Sequence, residues 1–305
     1  MTIRLGLQIP NFSYGTPVAD LFPTVIAQAR EAESAGFDAV FLMDHFYQLP
    51  MLGAPDQPML EAYTALGALA AATERMLLGT LVTGNTYRNP ALLAKTITTL
   101  DVVSAGRAVL GIGTGWFELE HTSLGFEFGT FTERFAKLDE ALKIMLPMIR
   151  GEAVTFTGSY YRTEQAVAVP RYRDHIPLMI GGSGEKKTFG LAARYFDHLN
   201  VIAAFDELPG KVEALARRCG EVGRDPSTLE TSMLLTAVPD PGFSDAMIPD
   251  AMRGRMAVGG PDEIAETVAT QVVGAGIDGV IVNLPRYVPG SITAVGEALR
   301  PIVGR

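Results

Sequence analysis

The feature that most constrains this chain is its rhythm: short apolar runs alternate with longer helix-patterned segments from one end of its 305 residues to the other. Arg4 to Pro10 reads as a strand, with Ile3, Leu5, Leu7 and Ile9 alternating. Asp20 to Ala35 reads as a helix, with Asp20 placed to cap it and Gly36 to stop it. Asp38 to Met43 is mostly apolar, as in a parallel strand buried on both faces. The same reading gives strands over 76–83, 107–112, 178–180, 198–202, 229–237 and 279–284. Helices follow over 61–73, 90–104, 132–150, 185–195, 206–222, 261–275 and 292–303. Eight strands each followed by a helix predict an α/β fold, a (β/α)8 TIM barrel spanning residues 1–305 as one domain; the rival is a doubly wound open sheet. Two segments break the rhythm. Residues 153–173 read as a hairpin inserted after the fourth helix. Residues 238–260, rich in Pro, Gly, Met and Asp, follow the seventh strand and read either as a lid over the barrel mouth or as a plain connection.

Charge and cysteine content narrow the partners. A net charge of −9 repels phosphate backbones, so nucleic acid is not an expected partner. The single cysteine, Cys219, has no second thiol to pair with. Met1 to Leu7 runs into a strand with no charged leader, and no apolar run approaches the roughly 18 residues of a membrane helix. A cytoplasmic location is the expectation.

In such a barrel the loops after the strands build the active site, so the residues just past each strand matter most. Past the second strand stand Asp44 and His45, a carboxylate beside an imidazole able to trade a proton near neutral pH; alone, the pair also fits loop capping. Past the third, Thr83, Gly84, Asn85 and Arg88 offer polar groups and an open backbone. Past the fourth, Gly111-Ile-Gly113-Thr114-Gly115 lacks the spacing of a dinucleotide fingerprint and reads as backbone approaching a flat ring, with Trp116 as a pocket wall or as core. Glu118, Glu120 and His121 do not make a metal set at known spacing, and no metal is expected. Past the fifth, Gly181-Gly182-Ser183-Gly184 leads into a helix. That arrangement suits one phosphate ester, or simply a capped turn, and lacks the closing Lys-Ser/Thr of a triphosphate loop.

These segments together resemble the luciferase-like family, and more closely its F420-dependent oxidoreductase branch. The carrying stretches are Ala35 to Phe46, Leu78 to Thr83 with Arg88 to Pro90, Val109 to Trp116 with Glu120, His121, Leu124 and Gly125, and Pro177 to Ser183. The resemblance implies a homodimer of barrels that binds a deazaflavin or flavin ring at the carboxyl-terminal mouth. It implies a non-prolyl cis peptide after the third strand, placed here at Thr80–Leu81. It implies that Asp44, Thr80, Leu81, Thr83, Gly113 and Thr114 meet the cofactor, and that Gly181, Gly182 and Ser183 hold its phosphate. It also implies that His45 handles a proton, and we expect Asp44 to orient it. In the sugar-phosphate dehydrogenases of this branch a catalytic Glu follows the Gly-x-Gly-Thr-Gly run. Trp116 stands there in this chain, which points away from glucose 6-phosphate and toward a less polar small molecule.

The function expected is therefore hydride transfer between coenzyme F420 and a small organic substrate. The first alternative is an FMN-dependent monooxygenase served by a partner reductase. The second is a flavin-binding barrel with no activity, against which the polar residues kept at the mouth argue.

Overall fold

The computed structural model describes residues 2–240, 242–243, 252 and 254–304. Of the segment read as a lid or a plain connection, residues 241, 244–251 and 253 lie outside the described residues.

Eight parallel strands close on themselves: β1 (Leu5–Ile9), β2 (Ala39–Leu42), β3 (Leu77–Thr80), β4 (Ala108–Gly113), β5 (Leu178–Gly181), β6 (His198–Val201), β7 (Glu230–Val238) and β8 (Gly279–Asn283). Each pairs with the next in sequence, and β8 returns to β1 with Leu5 opposite Val280. This closed order is the (β/α)8 barrel and excludes the open sheet. Closure explains the near-continuous apolar runs. A barrel strand is covered by helices outside and by other strands' side chains inside, so neither face needs to be polar.

The helices are α1 (Val18–Ser34), α2 (Ala62–Ala72), α3 (Pro90–Val103), α4 (Glu118–Leu124), α5 (Phe131–Ile149), α6 (Thr188–Tyr195), α7 (Leu208–Glu221), α8 (Pro261–Thr267) and α9 (Ser291–Val303). Their starts follow local chemistry. Asn89 caps α3 through Ala91 N–H at 2.9 Å, with Pro90 in the first turn, and Thr130 and Glu133 form a reciprocal capping box on α5. Asp20 does not cap α1: the helix begins two residues earlier, after Pro17, and Asp20 lies in its first turn. α6 starts at Thr188 rather than Glu185, because the glycine-rich turn runs on to Lys187. The segment after α8 continues in π-helical turns over Val268–Val273. Among the described residues no helix is long and apolar enough to cross a membrane.

Two apolar layers hold the barrel. The outer layer joins strands to helices, with Val40, Leu42, Leu66, Ile97, Leu142 and Phe189 fully buried. The inner layer fills the lumen with Phe41, Leu77, Leu81, Val109, Met179 and Ile281. The inserted hairpin pairs Val154–Thr157 antiparallel to Arg162–Ala166. It is tied to α5 by Glu140, whose carboxylate accepts from the N–H groups of Ser159, Tyr160 and Tyr161.

One glycine is dictated by backbone approach. A Cβ at Gly111 would lie 1.9 Å from the carbonyl oxygen of Thr80, where neither backbone has room to give. Gly111→Ala is expected to cost about 3 kcal/mol or more, above ordinary core overpacking, as read by urea unfolding.

Candidate active site at the carboxyl-terminal mouth of the barrel

The chain leaves every strand at the same end, and there the loops enclose a cavity of about 420 Å3. All eight strands or the residues just after them reach it: Gln8, Asp44, Val82, Gly113, Gly181, Ile202, Thr236 and Asn283 stand in its wall in strand order. The size and the mainly apolar wall are those of a small-molecule site.

Of the residues expected from the sequence, Asp44, His45, Leu81, Thr83, Gly113, Thr114, Gly181, Gly182 and Trp116 all line this one cavity. Two do not. Thr80 is fully buried behind the wall, and Ser183 is exposed just beyond it. The reason for Thr80 is its hydroxyl bonding. Gly111 O, at 3.0 Å, can only accept, so Thr80 Oγ1 donates to it. Thr83 Oγ1 then donates to Thr80 at 2.8 Å, and the Tyr63 hydroxyl donates to Thr83 at 2.7 Å. Burial holds Tyr63 in its phenol form, raised to about 12, which keeps that direction fixed.

The cis peptide lies at Leu81–Val82, one bond later than the sequence suggested. Leu81 N–H still donates to Leu42 O at 3.0 Å, so the sheet ladder runs through the Thr80–Leu81 bond and departs only after it. The Leu81 carbonyl accepts from Gln8 Nε2 at 3.1 Å, and Gln8 is steadied by Asn283 Nδ2 at 3.2 Å.

His45 also departs from the expected pairing. Its partner is Glu120 and not Asp44: Nδ1 lies 2.9 Å from Glu120 Oε2. A carboxylate only accepts, so Nδ1 carries the hydrogen, and the lone pair of a neutral ring falls on Nε2. Glu120 is fully buried and collects four donors: His45 Nδ1, the Tyr87 hydroxyl, and the N–H groups of Phe46 and Tyr47. Burial opposes its ionisation, but these bonds outweigh burial and hold the carboxyl below the usual carboxylate range. Tyr87 is driven upward by burial and by Glu120, so it stays a donor. His45 is walled by the edges of Trp116 and Phe117, each ring centroid 5.8 Å away.

Asp44 is engaged elsewhere. Arg88 grips it with both terminal nitrogens, at 2.6 and 3.0 Å, and also reaches Glu61 at 2.6 Å. Both residues reach the cavity wall past the end of β2, yet these neighbours in sequence take different partners. Burial pushes the Asp44 carboxyl up against the pull of Arg88. Glu61 meanwhile caps α2 through Thr64 N–H at 2.7 Å, so one carboxylate ties that helix to the site.

The sequence reading names Glu120 but misses α4, the helix that carries it, and with it the pairing to His45. The signals were present: Glu118 and Glu120 in a first turn, and Gly125 past its end, where the residue takes a φ of +76°. At seven residues the helix is too short for a periodic pattern to stand out. His121, its other buried residue, is a clamp. Nδ1 donates to Phe117 O at 2.8 Å and Nε2 accepts from Thr86 Oγ1 at 2.7 Å, while burial pushes the imidazole below its ordinary value. Glu120 and His121 are both shifted downward. Their stabilisation is fully present above their unfolded values, the higher being about 6.5 for the imidazole, and is lost as pH falls through the folded ones. Between pH 7 and 4 the emission of Trp116, packed on His45 and Phe117, is expected to change before far-ultraviolet circular dichroism does.

Comparison with known proteins agrees with this geometry. The chain is 41% identical over 160 residues to an F420-dependent glucose-6-phosphate dehydrogenase of Microbacterium testaceum, covering 52% of this chain and 46% of that one. It is 33% identical over 216 residues to an F420-dependent hydroxymycolic acid dehydrogenase of Mycobacterium tuberculosis, covering 70% and 58%. The chain spans about half the length of the curated relatives it matches first. A solved F420-dependent secondary alcohol dehydrogenase, in complex with an F420-acetone adduct, shares the fold with a TM-score of 0.84 at 23% identity, over 99% of each chain. The model of the luciferase-like monooxygenase family matches residues 3–247, most of the chain and all of the loops that carry Asp44, His45, Glu120 and Gly181, and the chain belongs to that family.

Proposed function

We propose that this chain is an F420-dependent oxidoreductase acting on a hydroxyl–carbonyl couple. The observation that carries the reading is the Glu120–His45 pair in the wall of the barrel-mouth cavity, with Nε2 left unbonded among the described residues. The activities of the two relatives support it, since each is an F420-dependent dehydrogenase.

The residues present fit such a cofactor. Gly84, Gly113, Gly115, Gly181 and Gly182 give the wall stretches of bare backbone against which a flat ring can lie. Not all of them could carry a side chain: at Gly115, where φ is +77°, a Cβ would come within 2.3 Å of Thr86 Oγ1. Beyond Gly182, the N–H groups of Ser183 and Gly184 make no hydrogen bond among the described residues, which suits a phosphate ester at the rim. When bound, the deazaflavin supplies or takes up the hydride. Everything else falls to the protein. His45 Nε2 accepts the hydroxyl proton during oxidation and returns it during reduction. Glu120 fixes the tautomer and balances the imidazolium. Trp116 and Phe117 hold the imidazole in place and limit water around it. Asp44, kept at the wall by Arg88, touches the cofactor and is not the partner of His45.

Titrating the protein with F420 and with FMN, followed by fluorescence, tests the reading. Tight binding of F420 with weak binding of FMN is the expected result. The reverse preference would instead make the chain an FMN-dependent monooxygenase. We expect a cytoplasmic homodimer, as the family resemblance implies, and sedimentation velocity checks the oligomer.

A further inference from the structure

The two sides of the cavity differ in chemistry. Strand order sets β2 across the barrel from β6, so the glycine turn after β5 lies away from His45. Arg255, held in part by Met252 Sδ at 3.7 Å, also belongs to the glycine side, because its segment runs beside β7. The His45 side is lined by Met43, Leu49, Met51, Leu52 and Trp116. Met43 and Leu49 pack with Phe117 into a separate apolar cluster at the rim. Among the described residues, the carboxylate that lines this side is Asp44, already paired with Arg88, while Glu120 and Glu61 stand behind the wall.

We propose that the substrate side of this cavity takes an uncharged, apolar secondary alcohol or its ketone and rejects sugar phosphates. This deepens the F420 reading and rests on it for the reaction, though not for the binding. A phosphate dianion at this wall would lose its water for methionine and leucine side chains, and would meet the Asp44 carboxylate with no unpaired cation on that side among the described residues. An aliphatic or alicyclic group gains from the same surface. The only polar group such a substrate needs is the oxygen at its reacting carbon, which His45 Nε2 meets. In oxidation the O–H proton passes to Nε2 and the C–H hydride to the deazaflavin. The carbinol carbon loses two electrons and becomes the carbonyl, and the deazaflavin is reduced by two.

Trp116, the chain's single tryptophan, supplies a readout independent of activity. Cyclohexanone is expected to change its emission with a half-saturation about tenfold or more below that of glucose 6-phosphate, the scale on which a pocket separates matched from mismatched groups. In enzyme loaded with F420, cyclohexanol is expected to exceed glucose 6-phosphate in kcat/KM by about 100-fold. Leu52→Lys, which puts an ammonium on this wall, is expected to narrow both gaps. Equal or tighter binding of glucose 6-phosphate, no response to cyclohexanone, or unchanged gaps in the folded Leu52→Lys protein overturns the proposal. Loss of the cofactor reading is distinguishable. A protein that binds no F420 but still prefers cyclohexanone sinks the activity and keeps the pocket, whereas one that reduces F420 best with glucose 6-phosphate does the opposite.

Discussion

Replacing His45 with alanine is expected to lower kcat by about 10²–10⁴-fold, the usual contribution of a positioned proton carrier. The cofactor dissociation constant should stay within about twofold, because the imidazole acts on the substrate's proton and not on the ring's binding. Steady-state rates and a fluorescence titration on the same preparation check both. Added imidazole should restore part of the rate. Equal losses in turnover and cofactor affinity would show that His45 only shapes the pocket. Glu120 separates positioning from chemistry. Glu120→Gln keeps the size of the side chain but can turn an N–H₂ toward His45 Nδ1. That reverses the tautomer and takes the lone pair away from the cavity. The expectation is a fall in kcat of about 10²-fold with little change in KM, and a smaller loss for Glu120→Asp, which keeps the charge.

Arg88→Met is expected to destabilise the fold by about 3–5 kcal/mol, since it leaves Asp44 buried without its partner. Asp44 is 2% exposed, so water cannot take over the role of the guanidinium. Its carboxyl is already pushed up by burial, and loss of Arg88 raises it further. A carboxyl held above its unfolded value favours the folded state at low pH and loses that advantage as pH rises. The variant should therefore approach the parent in stability at about pH 5 and fall furthest behind it near pH 8, as urea unfolding at the two pH values will read. A paired Asp44→Leu, Arg88→Met protein should recover much of the loss, because no buried charge remains. A uniform deficit across pH would assign the effect to lost packing on the Tyr63 ring, over which Arg88 lies at 4.8 Å.

The amino-acid sequence by itself determined the barrel and the rim that carries the site. Strand and helix periods are local properties, and a closed parallel sheet is the packing that buries eight apolar strands on both faces. Glycines after strands four and five were legible because a missing side chain is visible in sequence wherever backbone must lie against something flat. What the sequence did not contain was partnership. Asp44 and His45 adjoin in the chain, yet Asp44 turns to Arg88, 44 residues on, and His45 to Glu120, 75 residues on. The cis bond likewise lies one position beyond the expected one, next to the residue whose N–H bonds Leu42 across the sheet. Such pairings follow from which way each side chain leaves its strand and what the closed barrel brings opposite it, and only the tertiary structure fixes those two things.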